Sequence, residues 1–129
     1  LASLVAEREA ETKKTQAEAP ATIRTFPQPL FCEQYGKAIR GEELQYFGNL
    51  PNAAKIFKAE AARRKLSFND ELTKSERLKS RVTECQLYAS WGRPNDQNKT
   101  VGRWGVHIQH VYGRTYIYTE NGIVTSWQD

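Results

Sequence analysis

The chain has 129 residues, with 39% hydrophobic and 26% charged side chains. At 14.8 kDa and a mean hydropathy of −0.72, it has room for one small core rather than two. A net charge of +4 and only two cysteines exclude a multi-disulfide scaffold and an all-cysteine zinc site. No apolar run reaches the ~20 residues of a membrane helix. Charge and aromatics are unevenly distributed. Residues 1–83 carry 15 Lys/Arg against 11 Asp/Glu, whereas residues 84–129 carry four of each and seven of the 14 aromatics. The pattern predicts a charged helical front and an aromatic β-rich back.

Taken in chain order, residues 1–19 are rich in Ala, Glu and Lys but lose their apolar positions after Val5, which predicts a frayed helix or tether. Leu4-Val5-Ala6 before a charged stretch is also the pattern left by a trimmed signal or anchor segment. Pro20, Pro27 and Pro29 predict an extended linker over 20–30, so the expected division is a tether at 1–29 and a single domain at 30–129. Phe31, Cys32, Tyr35, Ala38 and Ile39 recur at helical spacing up to Gly41. Pro51-Asn52 opens a second helix through about Lys65, and Asn69 to Lys79 reads as a third. Thr83 caps a short helix that Gly92 and Pro94 end.

Asn95 to Thr100 reads as a polar loop. Apolar and polar residues then alternate from Trp104 to Tyr112. Gly113-Arg114 turns the chain into Thr115–Thr119, and Asn121-Gly122 is the preferred two-residue hairpin turn before Ile123–Trp127. The expected fold is α+β: two or three helices within 30–91 covering a three-stranded antiparallel meander at 103–128. In chain order, residues 104–112 would form an uncharged edge. That edge would either pair with another chain or lie under the helices.

The two histidines, His107 and His110, would face opposite sides of a strand and cannot share a metal. Cys85 sits in a first helical turn, where the helix dipole activates a thiol. Its neighbours Leu87, Tyr88 and Trp91 favour an inert buried thiol instead, or a bridge to Cys32 in an oxidising compartment. No phosphate-binding, dinucleotide, nucleophile-elbow or zinc-protease motif is present, so the expectation is a non-enzyme without cofactor or metal. Basic residues from Lys55 to Arg81, Arg63, Arg64 and Lys65 among them, outnumber acidic ones by five. They offer a nucleic-acid face as the second choice to a solvated helical surface. Trp104, Tyr112, Tyr116, Tyr118 and Trp127 are too many aromatics for the interior of so small a sheet, and some are expected to form a binding surface.

The order of a Thr-capped helix ending in Trp91-Gly92-Arg93-Pro94, then Tyr116, Tyr118, Asn121 and Gly122, resembles the SmpA/OmlA (BamE-like) family of small bacterial envelope proteins. More loosely it resembles the two-layer fold of β-lactamase inhibitor protein. Arg81-Val82 stands where that family has Gly-Met, and Trp91 replaces Leu. The likeness spans about 46 residues and is carried by a helix stop and a hairpin turn. It implies an assembly or protein-binding module of the periplasm or cell envelope, anchored through a removed N-terminal segment, in a homo-oligomer or membrane-anchored complex. The partner would be a protein, engaged through a strand edge or the aromatic sheet face.

Overall fold

The computed structural model describes residues 2–129, without the side chains at positions 2, 3, 5 and 9–15. Among these residues five helices precede a four-stranded antiparallel sheet: α1 (Ala2–Arg24), α2 (Gln28–Arg40), α3 (Ala53–Arg63), α4 (Asp70–Ser75), α5 (Glu84–Trp91), β1 (Asp96–Gly102), β2 (Gly105–Tyr112), β3 (Thr115–Glu120) and β4 (Ile123–Gln128). The strands follow one another in the order β1-β2-β3-β4. The α+β class stands as expected, with more helices and one more strand than the sequence suggested.

The helix layer is built on α2. Phe31 stacks with Phe57 of α3 at 5.5 Å, and Tyr35 lies flat on Phe68 at 3.6 Å. The Tyr35 hydroxyl donates to Asp70 at the start of α4 at 2.8 Å. On the adjoining flank of α2, Cys32 and Cys85 form a disulfide with Cα atoms 5.1 Å apart, which realises the bridge the sequence left open. One turn further on, Gly36 meets the backbone of α5 so closely that a Cβ there would run into the Ala89 carbonyl. Arg40, at the end of α2, donates to the carbonyls of Ala89 and Thr73 at 2.6 and 3.0 Å, so cationic donors close the end of α5. Gln86 of α5 is buried with its amide fully used. Its nitrogen donates to Thr73 Oγ1 and Ser90 Oγ, and its oxygen accepts from the Asn69 amide.

The caps at α2 and α5 match expectation. Gly41 is left-handed after α2 (φ 73, ψ 24), and Thr83 Oγ1 accepts from the Gln86 amide at 3.1 Å. Gly92 has φ 79 but ψ −174, so it stops α5 in an extended rather than a left-handed helical conformation. The third helix is shorter than read: it ends at Ser75, where Glu76 turns left-handed.

The expected linker at 20–30 is corrected. Helix α1 runs through Pro20 to Arg24, and Ala19, Ile23 and Phe26 belong to the core. A proline inside a helix removes one hydrogen bond and is costly. Here tertiary contacts offset that cost. Arg64 Nη2 caps the end of α1 by donating to the carbonyls of Ile23, Arg24 and Phe26. Its guanidinium lies 4.4 Å over the Phe31 ring, within cation–π range, and its Nε reaches Glu60 at 2.7 Å.

The expected loop at 95–100 is corrected as well. From Asp96 on, the chain forms β1, in register with β2 from Asp96↔Val111 to Gly102↔Gly105. Every β1 residue is exposed, so no hydrophobic alternation marks it; its stability comes from the ladder it adds to β2. The 104–112 edge is therefore covered by a strand of the same chain rather than by helices or a neighbour. A bulge interrupts β3–β4 at Tyr118/Thr119, and the outer side of β4 is partly closed by residues 81–84. There the Arg81 amide donates to the Val124 carbonyl, the Val124 amide to Val82 and the Glu84 amide to Gly122.

Glu60 is the acidic centre of the α1–α3 contact. It accepts from Arg63 and Arg64, and burial works against the carboxylate while these two guanidiniums hold its pKa down to about 2. A carboxylate with a depressed pKa contributes stability that is present above the unfolded value of about 4.5 and is lost as pH falls towards about 2. Glu60→Ala strands Arg64 beside a buried ring. It is expected to lower unfolding free energy by about 3 kcal/mol and to flatten the acid limb of the stability–pH curve, both read from urea denaturation at a series of pH values.

Candidate functional site

The registers divide the sheet into two faces, since residues directly opposite across an antiparallel pair point the same way. One face carries His110, Ile117, Thr119 and Val124, all buried. Helix α5 lies over it: the Tyr88 ring meets His110 edge-on at 5.8 Å, and Leu87 is fully buried. Among the described residues no helix packs substantially on the other face.

A polar ladder crosses that open face from edge to edge. Asn98 Nδ2 donates to Gln109 Oε1 at 2.9 Å, Gln109 Nε2 to the Tyr118 hydroxyl at 3.2 Å, and Tyr118 to Gln128 Oε1 at 3.2 Å. One side chain from each strand takes part, in a head-to-tail chain that fixes the four rotamers. Beside it lies a depression of about 400 Å³ floored by Thr100, His107 and Ser126 among others. Trp104, 57% exposed, stands in the β1–β2 turn. Its ring meets His107 edge-on at 5.8 Å, in the space left where Gly102 has no side chain.

Of the five aromatics expected to form a surface, Trp104, Tyr116 and Tyr118 lie on or at this face. Tyr112 does not. Its ring packs edge-on against Trp91 at 5.4 Å and its hydroxyl donates to the Gly92 carbonyl at 2.7 Å, which fastens the end of α5 to β2. Trp127 pairs with Ile117 on the helix side, at the far end of β4, and is 45% exposed. Arg63, Arg64 and Lys65 sit at the end of α3, apart from this group. Arg64 is spent inside the helix layer and Arg63 on Glu60, which leaves Lys65 as the exposed cation of the three with no ion pair among the described residues.

The histidines face opposite sides, as the strand reading required. His107 looks onto the open face, 3.9 Å from Glu120. His110 is wholly buried. Gln97 Nε2 lies 3.0 Å from its Nδ1, and Thr119 Oγ1 2.9 Å from its Nε2. An amide nitrogen can only donate, so Nδ1 is the acceptor and the proton sits on Nε2. Glu84, in the first turn of α5, approaches Nε2 at 3.9 Å, and its Oε2 is buried without a hydrogen-bond partner among the described residues. Burial raises the Glu84 pKa, with the Lys99 charge pulling the other way, and burial lowers that of His110 to about 4. Both effects act in one sense: burial works against the charged form on each side of the α5–sheet contact. Among the described residues no group of three His, Cys, Asp or Glu side chains is placed to hold a metal.

Asn98, Gln109 and Gln128 were not singled out from the sequence. Asn98 lay in what read as a loop, and isolated amides carry no periodicity. The one available signal was the Gly102-Arg103-Trp104-Gly105 turn, which closes a hairpin between 96–102 and 105–112.

Fold and surface together define a disulfide-braced α+β domain with helices on one side of a sheet and a polar–aromatic face on the other. No protein-family model, curated protein or solved structure matches the chain.

A buried histidine with a lowered pKa contributes stability that is lost as pH falls from about 6.5 towards about 4. In long-range ¹⁵N–¹H spectra, His110 is expected to remain the neutral Nε2–H tautomer at pH 6 and to titrate near 4. A charged ring at pH 6, or the Nδ1–H form, would contradict the arrangement.

Proposed function

We propose that this chain is a non-enzymatic protein-binding module of the bacterial cell envelope and that its open sheet face is the docking surface. The observation that carries the proposal is the ladder Asn98–Gln109–Tyr118–Gln128 with Trp104 and Tyr116 around it. It is a surface of preset rotamers with donors and acceptors on show, flanked by aromatics. Ordering entropy has largely been spent before a partner arrives, which favours binding, and Tyr and Trp are the side chains that most often carry interface energy.

The Cys32–Cys85 disulfide supports the compartment, since such bonds persist where the surroundings are oxidising. The resemblance of residues 84–129 to small envelope proteins points the same way. A nucleic-acid role through Arg63, Arg64 and Lys65 has less support, because two of the three are committed to Glu60.

A photo-crosslinking side chain placed at Tyr116, in protein exported to a bacterial periplasm, is expected to capture one discrete protein. The same group at Lys55 on α3 captures none. Tyr118→Ala, which cuts the ladder in the middle, is expected to weaken the captured complex about tenfold or more with thermal unfolding nearly unchanged. Equal capture at both positions, or binding indifferent to Tyr118→Ala, counts against the open face.

A further inference from the structure

The two edges of the sheet are treated differently. Residues 81–84 close the start of β4, while among the described residues no strand or bridge pairs with the outer side of β1. It is seven residues long, without proline or bulge against β2, and exposed throughout. A regular uncovered edge of this kind is a template for another strand. Its charges are Asp96 and Lys99. Asp96 is turned back on the edge, its Oδ1 accepting from the Gln97 amide at 2.8 Å.

Beside the start of β1, between it and α2, lies a cavity of about 620 Å³. Glu33 and Asp96 line it against the single cation Arg93, whose Nε pairs with Glu33 at 3.2 Å. Glu33 is thereby matched, and Asp96, where β1 begins, is the one charged lining residue without an ion pair among the described residues. Tyr88, 7% exposed, also lines it. Its hydroxyl accepts from Gln97 Nε2 at 2.9 Å, and its own proton has no acceptor among the described residues. The cavity opens on the helix side of the sheet, the side on which Gln97 contacts His110 and on which Lys99 also stands.

We propose that a second copy of this chain pairs its β1 antiparallel with this β1, Asn98 opposite Asn98, and sets its Lys99 into this cavity. The register follows from charge. Under a two-fold axis normal to the sheet, each residue keeps its face, so partners differ by an even number of positions. Placing Lys99 opposite itself opposes two like charges. Centring the pairing on Asn98 instead sets the partner's Lys99 directly across from Gln97, at the mouth of the cavity that Asp96 lines. Asp96 then faces the partner's Thr100.

The same register extends the open face. Asn98 Nδ2 donates to Gln109, while Asn98 Oδ1 has no donor among the described residues. Two asparagines facing each other across the axis can exchange amide hydrogen bonds and join the two ladders into one. The sheet becomes eight strands wide, with both helix layers on the same side. This inference is independent of the protein-binding reading: that reading concerns the open face and is tested through Tyr116 and Tyr118, whereas this one concerns the strand edge.

The test uses the full chain. Sedimentation equilibrium over a concentration series is expected to show a reversible dimer. Lys99→Glu, which puts a negative charge opposite Gln97 at the cavity mouth, is expected to leave a monomer that still unfolds in one cooperative transition. Both native cysteines are already bridged, so Asn98→Cys introduces the sole free thiol. Cross-strand Cα distances of about 4.5–5.5 Å at the axis suit a disulfide, and mild oxidation should link the copies. Thr100→Cys, whose two copies would lie roughly 13 Å apart, should not. A chain that stays monomeric throughout, dimerisation indifferent to Lys99→Glu, or equal cross-linking through both cysteines would each overturn the proposal. An edge kept for a foreign extended peptide would give the first of these results.

Discussion

The close approach of α2 and α5 is the constraint on which the rest of the structure depends. Two features let these backbones come together: the absence of a side chain at Gly36, opposite the Ala89 carbonyl, and the Cys32–Cys85 bond one turn away. Arg40 then seals the end of the contact by donating to Ala89 and Thr73. Helix α5 is the only helix with substantial contact to the sheet among the described residues, so whatever places α5 on α2 also places the sheet. A small core gains from such bracing, because the apolar area it can bury is limited.

Once α5 is fixed, the sheet's two faces acquire different chemistry. On the α5 side, burial favours uncharged Glu84 and His110, and the hydrogen bonds from Gln97 and to Thr119 fix the histidine tautomer. On the far side, the same strands present amides, a phenol and hydroxyls to solvent. Gln97 and Asn98 are neighbours in β1, yet one serves the buried cluster and the other the open ladder, because alternate residues of a strand face opposite ways. The pleat thus converts a run of plain polar residues, Asp96 to Thr100, into a structural half and a surface half.

Much of this was legible in the sequence. Thr83, Gly41 and Asn121-Gly122 marked their boundaries because caps and tight turns are local, and the alternation in 105–112 and 115–120 marked strands with one buried face. What was not legible depended on distant residues. Helix α1 continues past Pro20 because Arg64, some forty residues away, satisfies its last carbonyls. Strand β1 exists because β2 offers it a ladder, not because its residues favour strands. Gly36 reads as a weak point in a helix until Ala89 is seen opposite it. The aromatic surface was half legible: composition required that some rings be outside, but only register could send Tyr118 outward and Tyr112 inward.

The clamp is tested most directly by Gly36→Ala in the oxidised protein. Helix propensity alone makes this substitution stabilising by about 1 kcal/mol in a helix interior. A Cβ pressed into the α5 backbone instead costs about 1–3 kcal/mol through forced displacement. The account predicts a net loss of stability in thermal and urea unfolding, with amide chemical-shift changes concentrated at Ala89 and extending to His110 and Ile117. A variant more stable than the parent, with shifts confined to the immediate neighbours of residue 36, would contradict it.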